Sequence, residues 1–164
     1  MEYRVLRLAH KRCEIQIEGL VQYDIYSEVP DIVKITKEFK VIKGEKAFDF
    51  IGLCDPWNIA ISENVKNLLE SNGITGWKAY PIDVIGVDVK YFLFEITGKA
   101  GMKCEYDSDG DFVHGTLAVE EETWDGSDIF YVGNTGHIIC TEKIRTLLES
   151  KKITNVIFDG LETC

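Results

Sequence analysis

The sequence predicts an α+β domain: a mostly antiparallel sheet with two pseudo-repeated strand–turn–strand–helix–strand units, their two helices packed on it. Three observations carry this prediction. One stretch of the chain occurs twice. Helical spacing of apolar residues is clearest in one short window of each copy. Elsewhere, runs rich in β-branched and aromatic residues are broken by Gly, Pro, Asn and Asp, the pattern of strands and turns. The 164 residues suit a single domain, 1–164. It divides into an N-terminal β region (1–47), the two copies (49–80 and 128–159) and an acidic linker (104–127).

The copies are DFIGLCDPWNIAISENVKNLLESNGITGWKAY, from Asp49, and DIFYVGNTGHIICTEKIRTLLESKKITNVIFD, from Asp128, aligned without a gap at an offset of 79 residues. Glu63, Leu68, Leu69, Glu70, Ser71, Ile74 and Thr75 recur as Glu142, Leu147, Leu148, Glu149, Ser150, Ile153 and Thr154. Two copies are too few for a solenoid, which needs at least three stacked repeats, so a pseudo-symmetric domain is expected. Ser62 and Thr141 each offer a hydroxyl to a free N–H of the first helical turn. Glu63 and Glu142 then lie at the positive end of the helix dipole. Val65, Leu68 and Leu69 form an apolar stripe, repeated by Ile144, Leu147 and Leu148. Gly73 is placed to end the first helix in the left-handed conformation. Lys152 stands there in the second copy, so a different ending is expected.

Composition narrows the class. A hydrophobic content of 45% and a charged content of 28% allow a buried core and argue against global disorder. The longest run without Asp, Glu, Lys or Arg, Ile129 to Thr141, is 13 residues. A membrane span needs about 18. No apolar segment follows Met1 as in a signal peptide, so a cytoplasmic protein without a membrane partner is expected. The five cysteines are widely spaced and form no CxxC pair, which favours reduced thiols over a disulfide framework or zinc ribbon. Cys140, in an apolar run, reads as a small buried hydrophobe.

In chain order, residues 3–20 alternate apolar and polar around a polar AHKRC, which reads as a β-hairpin with His10 solvated in its turn. Residues 21–47 read as short strands or extended segments without a long helix, interrupted by Pro30 and Lys43-Gly44-Glu45. Cys54-Asp55-Pro56-Trp57 reads as a turn. Trp57 and Trp77 read as core or rim packing. Residues 81–98 read as one long strand or a hairpin, with Tyr91 to Phe94 buried on both faces.

Residues 104–142 are chemically distinct. No Lys or Arg occurs between Lys103 and Lys143, whereas ten acids do. The rest of the chain balances at 18 acids and 18 bases, so the whole formal charge of −10 belongs to this segment. Such a concentration suits a basic partner, with a solvated loop as the plain alternative. The candidate contact residues are Tyr106, Asp107, Asp109, Asp111, Phe112, Glu120, Glu121, Glu122, Trp124 and Asp125. Trp124 is the first choice as an aromatic anchor, because binding energy concentrates in such side chains. It reads equally as a plug holding the loop to the core.

No catalytic, metal or cofactor site is expected. Asp107-Ser-Asp109-Gly-Asp111 begins like a calcium loop, but Phe112 and Ala118 stand where the pattern needs Gly and Glu. A polar turn is the favoured reading. His10, His114 and His137 are scattered, and HExxH, GxSxG, P-loop and GxGxxG patterns are missing. Cys54 beside Asp55 has no histidine nearby in sequence to activate it.

The passages NIAISENVKNLLESNGITGWKAYPIDV and IICTEKIRTLLESKKITNVIF resemble the bacterial polymorphic-toxin immunity proteins, in which a Ser-Glu helix leads to an I-T-G exit. The likeness spans residues 48–159 and is carried by structural motifs, with Thr141 in place of Ser and Asn155 in place of Gly in the second copy. It implies a cytosolic, non-enzymatic protein that binds and neutralises a cognate toxin, for example a basic nuclease, without itself binding nucleic acid. A regulatory or scaffold domain for another basic partner is the alternative reading, and a small hydrolase assembled from distant residues a more remote one.

Overall fold

Strands β1 (Tyr3–Leu8) and β2 (Gln16–Gly19) open the chain, followed by helix α1 (Val29–Ile35) and β3 (Glu38–Lys43). Next come β4 (Phe50–Leu53), β5 (Ile59–Ser62), α2 (Glu63–Ser71), β6 (Trp77–Val84), β7 (Tyr91–Ile96), β8 (Gly98–Lys103) and β9 (Ala118–Glu120). The chain then forms β10 (Ile129–Val132), β11 (Ile138–Thr141), α3 (Glu142–Ser150) and β12 (Val156–Asp159). The computed structural model describes residues 1–164 as a mixed α+β fold. The strands make two sheets where one was expected: a closed six-stranded barrel and an open six-stranded sheet.

The two sheets share one strand order. Around the barrel it is β3-β2-β4-β5-β7-β6, and across the open sheet β9-β8-β10-β11-β1-β12. Each step has the same polarity in both: antiparallel throughout, except for the parallel pairs β2/β4 and β8/β10. The N-terminal strand β1 thus takes the place in the open sheet that β7 takes in the barrel. The barrel closes through parallel pairing of β3 with Asp83 and Val84 at the end of β6. The shorter β12 stops at Asp159, and the chain turns into a 3-10 segment, Leu161–Thr163. Glu162 and Thr163, which align with the closing Asp83 and Val84, lie in that 3-10 segment rather than in a strand, and β9 and β12 stay apart.

Burial explains the apolar runs. Ile17, Phe39, Ile51, Leu53, Tyr91 and Leu93 fill the barrel, and α1 adds Val29 and Ile32. The alternate residues Phe50, Ile61, Phe92 and Phe94 join Val65 and Leu69 of α2 and Ile144 and Leu148 of α3 in one shared core. Strand β7 is therefore apolar on both faces, as a strand with no solvent side must be. A third cluster lies on the other face of the open sheet, with Tyr3, Val5, Phe130, Val132 and Ile139, and with Trp124 and Leu161 packed against it.

Several expectations change. The proposed hairpin over residues 3–20 does not form, because β1 pairs with β11 and β12 whereas β2 pairs with β3 and β4. Alternation reports that a segment is a strand and leaves its partner open. Pro30 does not merely interrupt the chain. It lies in the first turn of α1, where its missing N–H costs no hydrogen bond. Ser62 caps α2 by accepting from the Val65 N–H at 3.3 Å, but Thr141 makes no such bond and its hydroxyl is buried without a partner. The two helices also end alike. Gly73 has φ +62° and Lys152 φ +53°, and the next residues, Ile74 and Ile153, bond back to Leu69 and Leu148. Lys152 thus accepts the left-handed conformation that glycine adopts freely.

Residues 81–98 fall at the β6/β7 hairpin and its continuation. The turn at Cys54–Trp57 is held by Asp55, which accepts from the Trp57 and Asn58 N–H groups at 2.9 and 2.7 Å. No helix is long and apolar enough to cross a membrane.

Candidate partner-binding surface

The connection from β8 to β9 occupies the place that α1 and its flanking loops occupy between β2 and β3 in the barrel. Here it carries the first acidic cluster. Tyr106 and Phe112 face each other as an isolated antiparallel bridge. The Asp107 N–H donates to the Asp111 carbonyl at 2.9 Å, and the Gly110 N–H donates to the Asp107 carbonyl at 3.0 Å. Gly110, at φ +83°, supplies the left-handed residue this tight turn needs. Asp107 accepts from the N–H groups of Asp109 and Asp111, both at 2.9 Å. One Asp107 oxygen is therefore used to hold the tip, as in other Asx-type turns. No group of three or more His, Cys, Asp or Glu side chains converges as a metal site would require.

The tip exposes its aromatic residues. Tyr106 is 60% exposed and Phe112 41%, and the two lie opposite one another. Glu105, Asp107, Asp109 and Asp111 surround them, exposed and without a cationic partner. The base of the loop is anchored by the Gly115 N–H, which donates to the Cys164 carbonyl at 2.7 Å, and by the Val113 N–H, which donates to Glu105 at 2.9 Å.

The second cluster follows β9 on a 3-10 turn, Glu121–Thr123. Glu120 is half-buried there, and Glu121 accepts from the Tyr3 hydroxyl at 3.3 Å and the N-terminal ammonium at 3.5 Å. Glu122 pairs with Lys103 at 3.1 Å. Its own backbone N–H, and then Lys103, hold its carboxyl below the ordinary value. Asp125 braces a turn, accepting from the Lys99 N–H at 2.9 Å and from the Ser127 N–H and hydroxyl at 3.0 and 2.5 Å. Burial works to raise the Asp125 carboxyl, and these bonds leave it below its ordinary value.

Trp124 takes the plug role. Its ring meets Tyr3 edge-on at 5.8 Å and Phe130 at 5.7 Å, and its indole N–H donates to the Ser127 carbonyl at 3.0 Å. It is half-buried over the third core cluster, whereas Tyr106 and Phe112 are exposed. The ten candidates separate into two groups. Tyr106, Asp109, Asp111 and Phe112 project from the tip, with Asp107 shaping it. Glu121, Glu122, Trp124 and Asp125 hold the segment to the sheet, with Glu120 beside them.

A concavity lies elsewhere, at the seam between barrel and open sheet, with a volume of about 800 Å³. Its lining comes from four separated parts of the chain, including His10, Trp57 and His137, so no local pattern could have marked it. His137 is half-buried there. Burial, then Arg7, hold its imidazole below the ordinary value. Compared with known protein families and with curated proteins, the chain matches no family model and no individual protein.

Proposed function

We propose that the protein is a cytosolic, non-enzymatic inhibitor of the immunity type, which binds a basic toxin through the acidic tip between β8 and β9. The observation that carries this reading is one surface feature: the carboxylates of Glu105, Asp107, Asp109 and Asp111, none with a cationic partner, around the exposed pair Tyr106 and Phe112. Aromatic side chains supply contact area, and the carboxylates speed encounter with a cationic surface and select for it. Toxins that act on nucleic acid need Lys and Arg to bind phosphates, so an acidic surface can cover such a site. The Ser-Glu helix and I-T-G exit that resemble immunity proteins, with their variant second copy, hold the scaffold, and the acidic tip supplies the contact.

The test is binding to the product of the neighbouring gene. A variant carrying Glu105→Gln, Asp109→Asn and Asp111→Asn is expected to bind more than tenfold more weakly and with a shallower salt dependence. Tyr106→Ala with Phe112→Ala is expected to do the same without altering the salt dependence. Asp107, Trp124 and Asp125 are left intact because they hold the loop. Unchanged affinity in both variants, with the melting temperature preserved, would sink the proposal. The same measurement against other basic proteins serves the scaffold alternative, which expects a partner encoded elsewhere.

A further inference from the structure

The seam cleft has a chemistry opposite to that of the acidic tip. Its floor is apolar, with Leu6, Leu53, Ile59 and Ile138 each less than a tenth exposed. Its walls carry Arg7, Lys11, Arg12 and Lys43, together with two carboxylates, Glu14 and Asp55. A net positive cleft on a chain of formal charge −10 is a local reversal of sign.

Hydrogen bonding sharpens the reversal. Both carboxylates are engaged within the protein. Glu14 accepts from Asn155 at 2.5 Å and meets the His10 ring at 2.9 Å. Asp55 is spent on the turn at Trp57 and Asn58. Among the cations, Arg7 is held by Asp159 at 2.8 Å and Thr163 at 2.7 Å, and the Lys11 ammonium lies 5.8 Å from the Phe48 ring centre. Arg12 and Lys43 have no hydrogen-bonded or ionic side-chain partner and are exposed. Trp57, 55% exposed, lines the same cleft from the β4–β5 turn.

The cationic wall is built with care. Lys11 and Arg12 belong to the β1–β2 connection, in which His10 and Cys13 both take positive φ, +53° and +64°. Two such non-glycine residues in four positions persist only where the surroundings enforce them. Asn155, 1% exposed, supplies that enforcement by accepting the Lys11 N–H at 3.0 Å. Gly44 closes the other side, where a Cβ would lie 1.8 Å from the Glu14 carbonyl.

We propose that this cleft binds a small organic anion bearing a flat ring, with a nucleoside phosphate as the ligand class. The ring packs on Trp57 and the apolar floor, and the phosphate bridges Arg12 and Lys43. The volume is within the range of small-molecule sites, and the cleft offers an apolar floor and cationic groups on its walls. Arginine favours phosphate through its forked donors, and lysine adds a point charge. Base stacking on an aromatic ring tolerates any base, so the structure selects the class without choosing a member.

Calorimetric titration of the full chain with AMP tests this, with adenosine, inorganic phosphate and a hexaglutamate peptide as separate arms. AMP is expected to bind saturably with a Kd below about 1 mM. Arg12→Ala with Lys43→Ala is expected to weaken it at least tenfold, and Trp57→Ala about tenfold, on the scale of one lost stacking contact. All three side chains are exposed, and an unchanged melting temperature confirms that the variants remain folded. Adenosine and phosphate alone are expected to bind far more weakly than AMP. The proposal is overturned if AMP shows no saturable binding, if the variants bind it as the parent does, or if phosphate or hexaglutamate binds as tightly.

Discussion

Asp49 holds Thr154, 105 residues away, by accepting from both its backbone N–H and its hydroxyl at 3.0 Å, while the Asp49 N–H donates to the same hydroxyl at 2.8 Å. The reciprocal contact joins Asp128 to Thr75 at 3.0 and 3.2 Å, with the Asp128 N–H donating back at 3.1 Å. Asp49 aligns with Asp128, and Thr75 with Thr154, so each copy's first residue grips the exit of the other copy's helix. The I-T motif is therefore an interlock between the halves.

Breaking one interlock should be costly. Asp49→Ala removes the acceptor of the Thr154 N–H and hydroxyl, leaving only the backbone N–H of residue 49 donating to that hydroxyl, and a loss of about 2 kcal/mol in unfolding free energy is expected. A double-mutant cycle of Asp49→Ala with Thr154→Val in denaturant titrations should show a coupling of at least about 0.5 kcal/mol. Additive effects would contradict the interlock.

Acid should act through the same carboxylate. Burial works to raise the Asp49 carboxyl, but bonds from Ser62, Thr154 and Asn64 leave it below its ordinary value of 3.8. A depressed carboxyl gives stability that is present above that value and drains away as the pH falls below it. Stability measured against pH should therefore fall less steeply below about pH 4 in Asp49→Asn than in the parent. Parallel acid limbs would assign the acid loss to other groups.

The two helix starts should respond in opposite directions. Ser62→Ala removes a hydroxyl that caps α2 and donates to Asp49 at 2.7 Å, so a cost of about 1 kcal/mol is expected. Thr141→Val replaces a buried, unpartnered hydroxyl with a methyl of similar size and should be neutral or stabilising by up to about 1 kcal/mol. Thermal denaturation of the two variants decides it; a destabilised Thr141→Val would mean the hydroxyl has a partner.

Left-handed residues give a second contrast. Lys152→Gly relieves a positive φ at an exposed site, partly offset by a more flexible unfolded chain, and should raise stability by about 0.5 kcal/mol. Asn155→Gly also suits its φ of +63°, but removes bonds to Lys11, Glu14 and the Phe50 carbonyl. It should cost about 2 kcal/mol, as unpaired buried groups do. Equal melting shifts in the two variants would show that backbone strain alone governs both sites.

Thiol chemistry should follow burial. Cys13 and Cys54 are exposed, whereas Cys140 is fully buried and burial pushes its thiol up to about 12. An aromatic disulfide reagent should modify Cys13 and Cys54 in the folded protein and reach Cys140 only on unfolding. Early labelling of Cys140, located by mass spectrometry, would show that the shared core opens.

Much of the local structure was legible in the chain. The apolar stripe Val65 and Leu69 marked α2, the same stripe marked α3, and Tyr91 to Phe94 announced a strand buried on both faces. These features repeat every few residues, so a short window contains them. Residues 3–20 show the limit: alternation identified two strands but paired them with each other, when β1 belongs between β11 and β12. Lys152 shows another, since its side chain disfavours the left-handed conformation that the surrounding helix end imposes. The acidic segment was plain in composition, yet exposure alone separated Tyr106 and Phe112 from Trp124.

The sequence by itself determined helices α2 and α3, the buried strand β7, the matched copies and the confinement of the net charge to residues 104–142, because spacing and composition are properties of neighbouring residues. Tertiary structure alone decided that one sheet closes while the other stays open, that each Asp grips the other copy's Thr, and that Arg12, Lys43 and Trp57 meet across one cleft. Those outcomes depend on which distant segments pack together, and no window of adjacent residues contains that choice.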